Sequence, residues 1–387
     1  MSAIPRAPVR VLHVMGGLDV GGVETWLVNL LRRADRSRLE MDFLLHTEKR
    51  CAYEAEVLSL GARILRCPRR RIPAYVRSLW RAIRAPVPYD VVHSHVHAYS
   101  GWVLSVAALA GIRVRIAHSH LDTRHEDRGP RILRQAYLRT MSRLIRRNAT
   151  AGFAASLEAG KALFGSLWGV DPRWSVLRCG IDTKAFERPP RPELRAELGI
   201  PAEAFVIGHV GRFDEQKNHR FLIDIARELA SLDPSAHLLL VGEGSLRDEI
   251  EHRVEAFGLR HRVTFAGRRS DVAAVMVSAM DAFVLPSLFE GLPLVAIEAQ
   301  AAGLPCLVSD TVSPESGIVD DLFAQESLNA SPRTWARRLL AFPRSRDAAE
   351  RRRALAAVKA SPFEIGANLK LLQETYSRLR ETAASWN

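Results

Sequence analysis

Cysteine is scarce. Cys51, Cys67, Cys179 and Cys306 are the four in 387 residues, and no C-x-x-C pair or Cys/His ligand spacing joins them. A disulfide framework and a zinc-ribbon site are therefore not expected, and a reducing cytoplasm fits. Long apolar runs are missing too. The longest clean one, near Trp102 to Gly111, is about half of the ~20 residues a spanning helix needs, and the N-terminus lacks a charged-then-apolar signal pattern. Neither G-x-G-x-x-G nor G-x-x-x-x-G-K-[ST] occurs, which removes the main supports for a nicotinamide dehydrogenase and for a P-loop phosphotransferase. D-x-D is also absent, and with it the usual carboxylate pair for a divalent ion on a nucleotide diphosphate. Internal repeats and low-complexity tracts are lacking.

What remains is ordinary globular material, 47% apolar with 24 Gly and 20 Pro, long enough for two domains with full cores. The net charge of +12 is unevenly spread. Residues 1–180 carry 29 basic against 14 acidic side chains, and the rest 26 against 29. Arginine accumulates where no acid interrupts: eight between Val57 and Tyr89, seven between Arg128 and Leu157. This asymmetry points to an anionic partner for the first half, a membrane surface or a phosphate-bearing substrate. Genomic codon bias toward arginine is the plain alternative. Nucleic acid is not expected, because no reader motif or interleaved aromatics accompany the arginines.

Short β-rich runs alternate with helical patterns throughout, the mark of α/β folds with parallel sheets. Strands are predicted at Val9–Val14, Met41–Leu45, Asp90–His93, Val114–His118 and Gly152–Ala155. A second series follows at Phe205–Val210, His237–Val241, Val263–Phe265, Ala282–Leu285 and Cys306–Val308. The proline-rich stretch "RCGIDTKAFERPPRPELRAELGIP" reads as an interdomain linker. The predicted architecture is two doubly wound Rossmann-like domains facing a cleft, 1–182 and 183–361, with a terminal helix in 362–387 packing back across them. In "RRIPAYVRSLWRAIR", Ile72, Tyr75, Val76, Leu79, Trp80 and Ile83 form a helical stripe that suits core packing, with Arg70, Arg77, Arg81 and Arg84 on the other positions.

Three loops could meet a phosphorylated ligand. After the first strand, "MGGLDVGGVETW" sets Gly16, Gly17, Gly21 and Gly22 before a helix, where backbone amides can approach an anion. At the matching place in the second series, "GRFDEQKN" carries Arg212 and Lys217; lysine is rare here, six in all, and both side chains could reach one diphosphate. Finally "FVLPSLFEGLPLVAIEAQAAGLP" reads as strand, loop and helix, with Glu290 in the loop and Glu298 on the helix. Carboxylates accept paired sugar hydroxyls, and two at different depths suit two sugars on one ligand. The amides of Gly291, Leu292 and Leu294, around Pro293 at the helix start, would face the diphosphate joining them.

The glutamate pair, taken with "GRFDEQKN", "LVGEGSLRDEI", "FAGRRSDV" and the N-terminal glycine loop, resembles retaining glycosyltransferases of the GT-B fold, family 4. The wording "PSLFEGLPLVAIEAQAAGLPCLVSDT" resembles the branch serving bacterial exopolysaccharide and capsule synthesis. The likeness runs from about Val9 to Ser313. It implies that Arg212 and Lys217 hold the donor diphosphate, Glu290 touches the transferred sugar, and Glu298 binds the ribose. Backbone at Gly267 and Arg268 would meet the base, Gly21 and Gly22 would belong to the donor site, and His118 in "RIAHSH" would reach the donor sugar from the opposite domain. It further implies a retaining, metal-independent transfer of a hexose or N-acetylhexosamine from a UDP-sugar, or mannose from GDP-mannose, to a polyprenyl-linked or growing glycan at the cytoplasmic face of the inner membrane. A sugar-nucleotide-binding protein without turnover is the non-enzymatic alternative. One departure is Cys179 in "RCGID", where the family commonly has Asn. His93, His95 and His97 with His118 and His120 are numerous enough for a metal cluster, but strand alternation is expected to turn them to different faces, so no metal or other cofactor is expected.

Overall fold

The structure is a computed structural model and describes residues 7–69, 71–84, 87–120, 131–344 and 347–384. Arg70 and Arg128, two members of the arginine runs, lie outside the described residues. The chain divides into two compact units, one holding the residues up to Gly180 together with those from Ile365 onward, the other Ile181–Glu364.

The first unit is built on seven strands: β1 (Val9–Met15), β2 (Leu39–Leu45), β3 (Ile64–Arg66), β4 (Val91–Ser94), β5 (Val114–Ser119), β6 (Ala151–Ala154) and β7 (Trp174–Val176). They form one parallel sheet in the order β3-β2-β1-β4-β5-β6-β7. Strands β1 and β2 are mostly apolar and bury all but one residue each, as strands covered on both faces do; His13 and Asp42 are polar residues buried with them. The helix Ile72–Ile83 buries Tyr75, Leu79 and Ile83 in this core, while Arg77, Arg81 and Arg84 stay exposed.

The closing helix Ile365–Ala384 belongs to this unit and lies on the helix Gly22–Arg33. Buried Trp26 donates from Nε1 to Asn368 Oδ1 at 2.6 Å, and Asn368 Nδ2 donates to the Arg178 carbonyl at 2.5 Å. Leaving a buried indole N–H unpaired would be costly, so this bond fixes where the last helix docks.

The second unit carries β8 (Phe205–Val210), β9 (Ala236–Val241), β10 (Val263–Gly267), β11 (Ala282–Leu285), β12 (Cys306–Ser309) and β13 (Phe323–Glu326), parallel throughout in the order β10-β9-β8-β11-β12-β13. In each unit the order reverses next to the first strand, between β1 and β4 and between β8 and β11. The crevice at the carboxyl ends there is where doubly wound sheets take ligands.

The stretch expected to be a linker is not one. Ile181, Phe186, Leu194 and Ile200 are buried in the second unit's core, with short helical turns at Thr183–Glu187 and Leu194–Glu197. Its prolines stop regular periodicity, but its apolar residues are still driven inside. The chain changes units between Gly180 and Ile181 and again between Glu364 and Ile365.

Candidate active site

In the second unit the loops after β8 and β11 are stitched together. The Leu288 amide donates to the Gln216 carbonyl at 2.8 Å, and Gln216 Nε2 donates to the Phe289 carbonyl at 3.0 Å and to Glu290 Oε2 at 3.1 Å. Lys217 Nζ donates to the other carboxylate oxygen, Glu290 Oε1, at 2.5 Å. Both members of this ion pair are largely enclosed, their side chains 15% and 6% exposed. Lys217 is presented by a single helical turn, Glu215–Lys217, whose amide end is capped by Asp214, and Asn218 in the left-handed region (φ 55°) then turns the chain into the helix His219–Leu232. Asn tolerates that backbone better than most residues.

The loop after β9 supports the loop after β8 by backbone approach. Gly211 and Phe213 donate their amides to Val241 and Glu243, and Leu246 donates back to Phe213. At Gly242 (φ 145°) a Cβ would stand 2.0 Å from the Gly211 carbonyl oxygen, and at Gly244 one would stand 2.4 Å from that of Phe213. Only glycine permits such contact. The Gly242 amide in turn donates to Gly267 at the end of β10. Thus the ends of β10, β9, β8 and β11 stand side by side and bring Gly267, Arg212, Lys217 and Glu290 to one edge of the sheet.

Arg212 is exposed, and its guanidinium forms no hydrogen bond or ion pair among the described residues; Arg268, beyond Gly267, is exposed as well. Glu298 sits on the second turn of the helix Leu294–Ala301, half-buried and without a polar partner among the described residues; burial pushes its carboxyl up to about 7. That helix has no side-chain cap at Pro293; the Ala296 amide donates to the Pro293 carbonyl at 3.0 Å, and the amides ahead of it lie at the positive end of the helix field, which favours an anion. This edge of the sheet therefore combines two cations, free helix amides and two carboxylates of different character.

Gln216 is the residue that sequence reasoning missed here. It lies inside the quoted "GRFDEQKN", but nothing in the string says that its amide orients Glu290 from 74 positions away.

In the first unit Gly21 is the extended residue before the helix Gly22–Arg33, and Gly22 is the helix's first residue. His118, expected to reach the donor sugar, is fully buried at the end of β5, its Nε2 on the Leu177 carbonyl at 3.2 Å and its Nδ1 without a partner among the described residues. His120, two residues on, is partly exposed.

The expectation that the histidines diverge is also wrong. Alternation has a period of two, so His93 and His95 share a side, as do His118 and His120. Parallel register places His13 on β1 beside His93 on β4. His13 Nδ1 lies 3.0 Å from His95 Nε2, His95 Nδ1 lies 2.8 Å from His120 Nε2, and His120 Nδ1 faces the Cys179 thiol at 3.5 Å. Burial keeps the imidazoles neutral: His13 and His120 are pushed down to about 3, and His93, His95 and His118 well below the usual range.

Residues 20–185 match the family described as Glycosyltransferase Family 4, and residues 190–355 match Glycosyl transferases group 1. EpsF of Bacillus subtilis strain 168, a protein assigned to the glycosyltransferases, is 38% identical over 332 residues, covering 84% of this chain and 86% of EpsF. The Escherichia coli UDP-Gal:alpha-D-GlcNAc-diphosphoundecaprenol alpha-1,3-galactosyltransferase is 35% identical over 147 residues, 36% of this chain and 38% of its own length. Anabaena HepE, solved in complex with UDP and glucose, superposes with a TM-score of 0.77 at 20% identity, covering 96% of this chain and all of HepE.

Proposed function

Because this chain belongs to glycosyltransferase family 4 and has the GT-B fold, we propose that it moves a hexose or N-acetylhexosamine from a UDP-sugar to a lipid-linked or growing polysaccharide acceptor. A role in glycan synthesis follows from the family and from its EpsF-like sequence. The UDP donor and lipid-diphosphate acceptor are supported by the name of the Escherichia coli relative. The observation that carries the reading is the enclosed contact of Lys217 with Glu290, held by Gln216 where the loops after β8 and β11 join.

In the proposed reaction the bond from the sugar's anomeric carbon to the donor phosphate breaks, and the acceptor hydroxyl oxygen bonds to that carbon from the same face, with retention. The acceptor's proton passes to the leaving phosphate. Negative charge grows on the diphosphate as an oxocarbenium-like sugar forms. Lys217, Arg212 and the amides of Gly291, Leu292 and Leu294 stabilise that charge, and Glu290, released from part of its ion pair as Lys217 turns to phosphate, accepts a sugar hydroxyl. Glu298 takes the ribose hydroxyls, and the backbone at Gly267 and Arg268 the base. The cations and helix amides replace a divalent ion on the donor. Such a preorganised donor is worth about 3 kcal/mol, or ~10²-fold in rate.

Incubation with a panel of nucleotide sugars tests this directly. Slow release of UDP from a UDP-sugar, lost in Lys217→Ala, is the expected result. Stabilisation without turnover under every acceptor would make the protein a binder, and turnover of GDP-mannose alone would replace the donor.

A further inference from the structure

The histidines at the carboxyl ends of β1 and β4 are not used by the proposed transfer. One ring nitrogen from each of His13, His93 and His95 lies within 4.8 Å of the others. His13 and His93 are fully buried, and each keeps its Nε2 without a hydrogen-bond partner. Buried polar atoms of this kind are uncommon, and a cluster of them needs an explanation. From these residues we propose a binding site for one divalent transition-metal ion of the imidazole-preferring class, zinc foremost, with His13, His93 and His95 as its protein ligands.

The surroundings orient the rings as a metal requires. A ligating histidine commonly has its other nitrogen tied to a hydrogen-bonding group, which fixes tautomer and direction. His93 is held that way: its Nδ1 lies 2.6 Å from the Tyr376 hydroxyl on the closing helix, leaving Nε2 for an ion. His95 is held through its own Nδ1, 2.8 Å from His120 Nε2, and His120 in turn meets Cys179. With His95 donating from Nδ1, its Nε2 carries the lone pair. His13 Nδ1 lies 3.0 Å from that nitrogen and donates to it, which leaves the unpartnered Nε2 of His13 as its lone-pair nitrogen; an ion would take His95 Nε2 over from this bond. Neutral rings bind a cation without first losing a proton.

Imidazole selects zinc, copper, nickel or cobalt over magnesium and calcium, which want oxygen. His95 is the partly exposed member of the triad. A second triad, His95, His118 and His120, shares His95; it has one unpartnered ring nitrogen, His118 Nδ1, against two in the inner triad. The ion's place is thus the inner triad. There it would staple β1 to β4 and, through Tyr376, to the closing helix.

The test uses the full chain, stripped with a strong chelator and dialysed, then titrated with Zn²⁺ and Co²⁺. Elemental analysis should give one zinc per chain, Co²⁺ should produce visible ligand-field bands of a nitrogen-ligated four-coordinate site, and either metal should raise the melting temperature. His93→Gln and His95→Gln should each abolish the bands, whereas His120→Gln and the surface change His252→Gln should keep them. If the buried variants do not fold, X-ray absorption on the zinc-loaded wild type decides, three imidazoles being the expected shell. Less than a tenth of an equivalent bound by the stripped wild type would overturn the site. So would binding that survives His93→Gln but is lost in His120→Gln, which would move the ion to the other triad.

Discussion

Lys217 and Glu290 are 73 positions apart in the chain, yet the ammonium nitrogen of one lies 2.5 Å from a carboxylate oxygen of the other. The pair is enclosed, so each charge depends on its partner until a ligand replaces it. A diphosphate that draws Lys217 away would free Glu290 for the sugar in the same movement. Lys217→Ala and Glu290→Ala should therefore each lower kcat by ~10²-fold or more while the fold survives. Gln216→Ala, which leaves both charges but removes the tether on Glu290, should cost less, about tenfold. Steady-state kinetics with circular dichroism as the fold control checks all three, and near wild-type rates for the first two would sink the donor-site assignment.

Glu298 gives a pH signature. Burial raises its carboxyl from 4.5 to about 7, so the folded protein holds a proton there that the unfolded chain has lost. This group's contribution to stability is full below about 4.5, declines as pH rises from there through 7, and is level above. Ribose hydroxyls that donate to the carboxylate favour its ionised form, so donor binding should expel the proton. Donor affinity should then be about tenfold weaker at pH 6 than at pH 8. Glu298→Gln should flatten that profile and melt higher than wild type at pH 8. Calorimetric titration of the donor at several pH values measures the slope, and an unchanged slope in the variant would assign it elsewhere.

Much of this was legible in the sequence because parallel strands buried on both faces are apolar runs, and all ten predicted strands are present within about two residues of their expected ends. The three that were missed, β3, β7 and β13, are three- or four-residue edge strands. Edge strands bury less and so leave weaker patterns. The loops of the candidate site were readable as loops at strand ends because glycine, lysine and glutamate stand out there. The Gln216 tether and the meeting of His13 with His95 were not, since both depend on which strands lie side by side. The histidine error had a simpler source: residues two apart on a strand share a face.

The Trp26–Asn368 bond makes the closing helix part of the first unit's stability. Asn368→Leu fills similar space but leaves the Trp26 indole N–H and the Arg178 carbonyl without their partner, at about 1–3 kcal/mol. The melting temperature should fall by several degrees, and Trp26→Phe in the same background should be less than additive with it. Donor-induced stabilisation, proposed to belong to the second unit, should persist in both variants. Strict additivity would mean that the two side chains act independently.

No helix among the described residues is long and apolar enough to cross a membrane; for a lipid-held acceptor we propose peripheral attachment. The first unit offers a surface for it. The helix Arg131–Asn148 exposes Ile132, Leu133, Tyr137 and Leu138, the first two by 82% and 70%, with Arg139, Arg143, Arg146 and Arg147 exposed further along. On the helix Ile72–Ile83, Trp80 is exposed beside Arg77, Arg81 and Arg84. The helix Ser100–Leu109 packs against both. Near an anionic leaflet each arginine can add about 1 kcal/mol, decaying over a Debye length of about 8 Å at physiological salt, and the apolar tip adds burial that salt does not screen. Binding to liposomes containing anionic lipid should therefore weaken several-fold when salt is raised. Arg77, Arg81 and Arg84 changed together to Glu should weaken it at low salt, while Ile132→Ser with Leu133→Ser should remove the salt-resistant remainder. Sedimentation with anionic and neutral vesicles separates these contributions. Equal binding to both kinds, or to neither, would leave codon bias as the better account of the arginines.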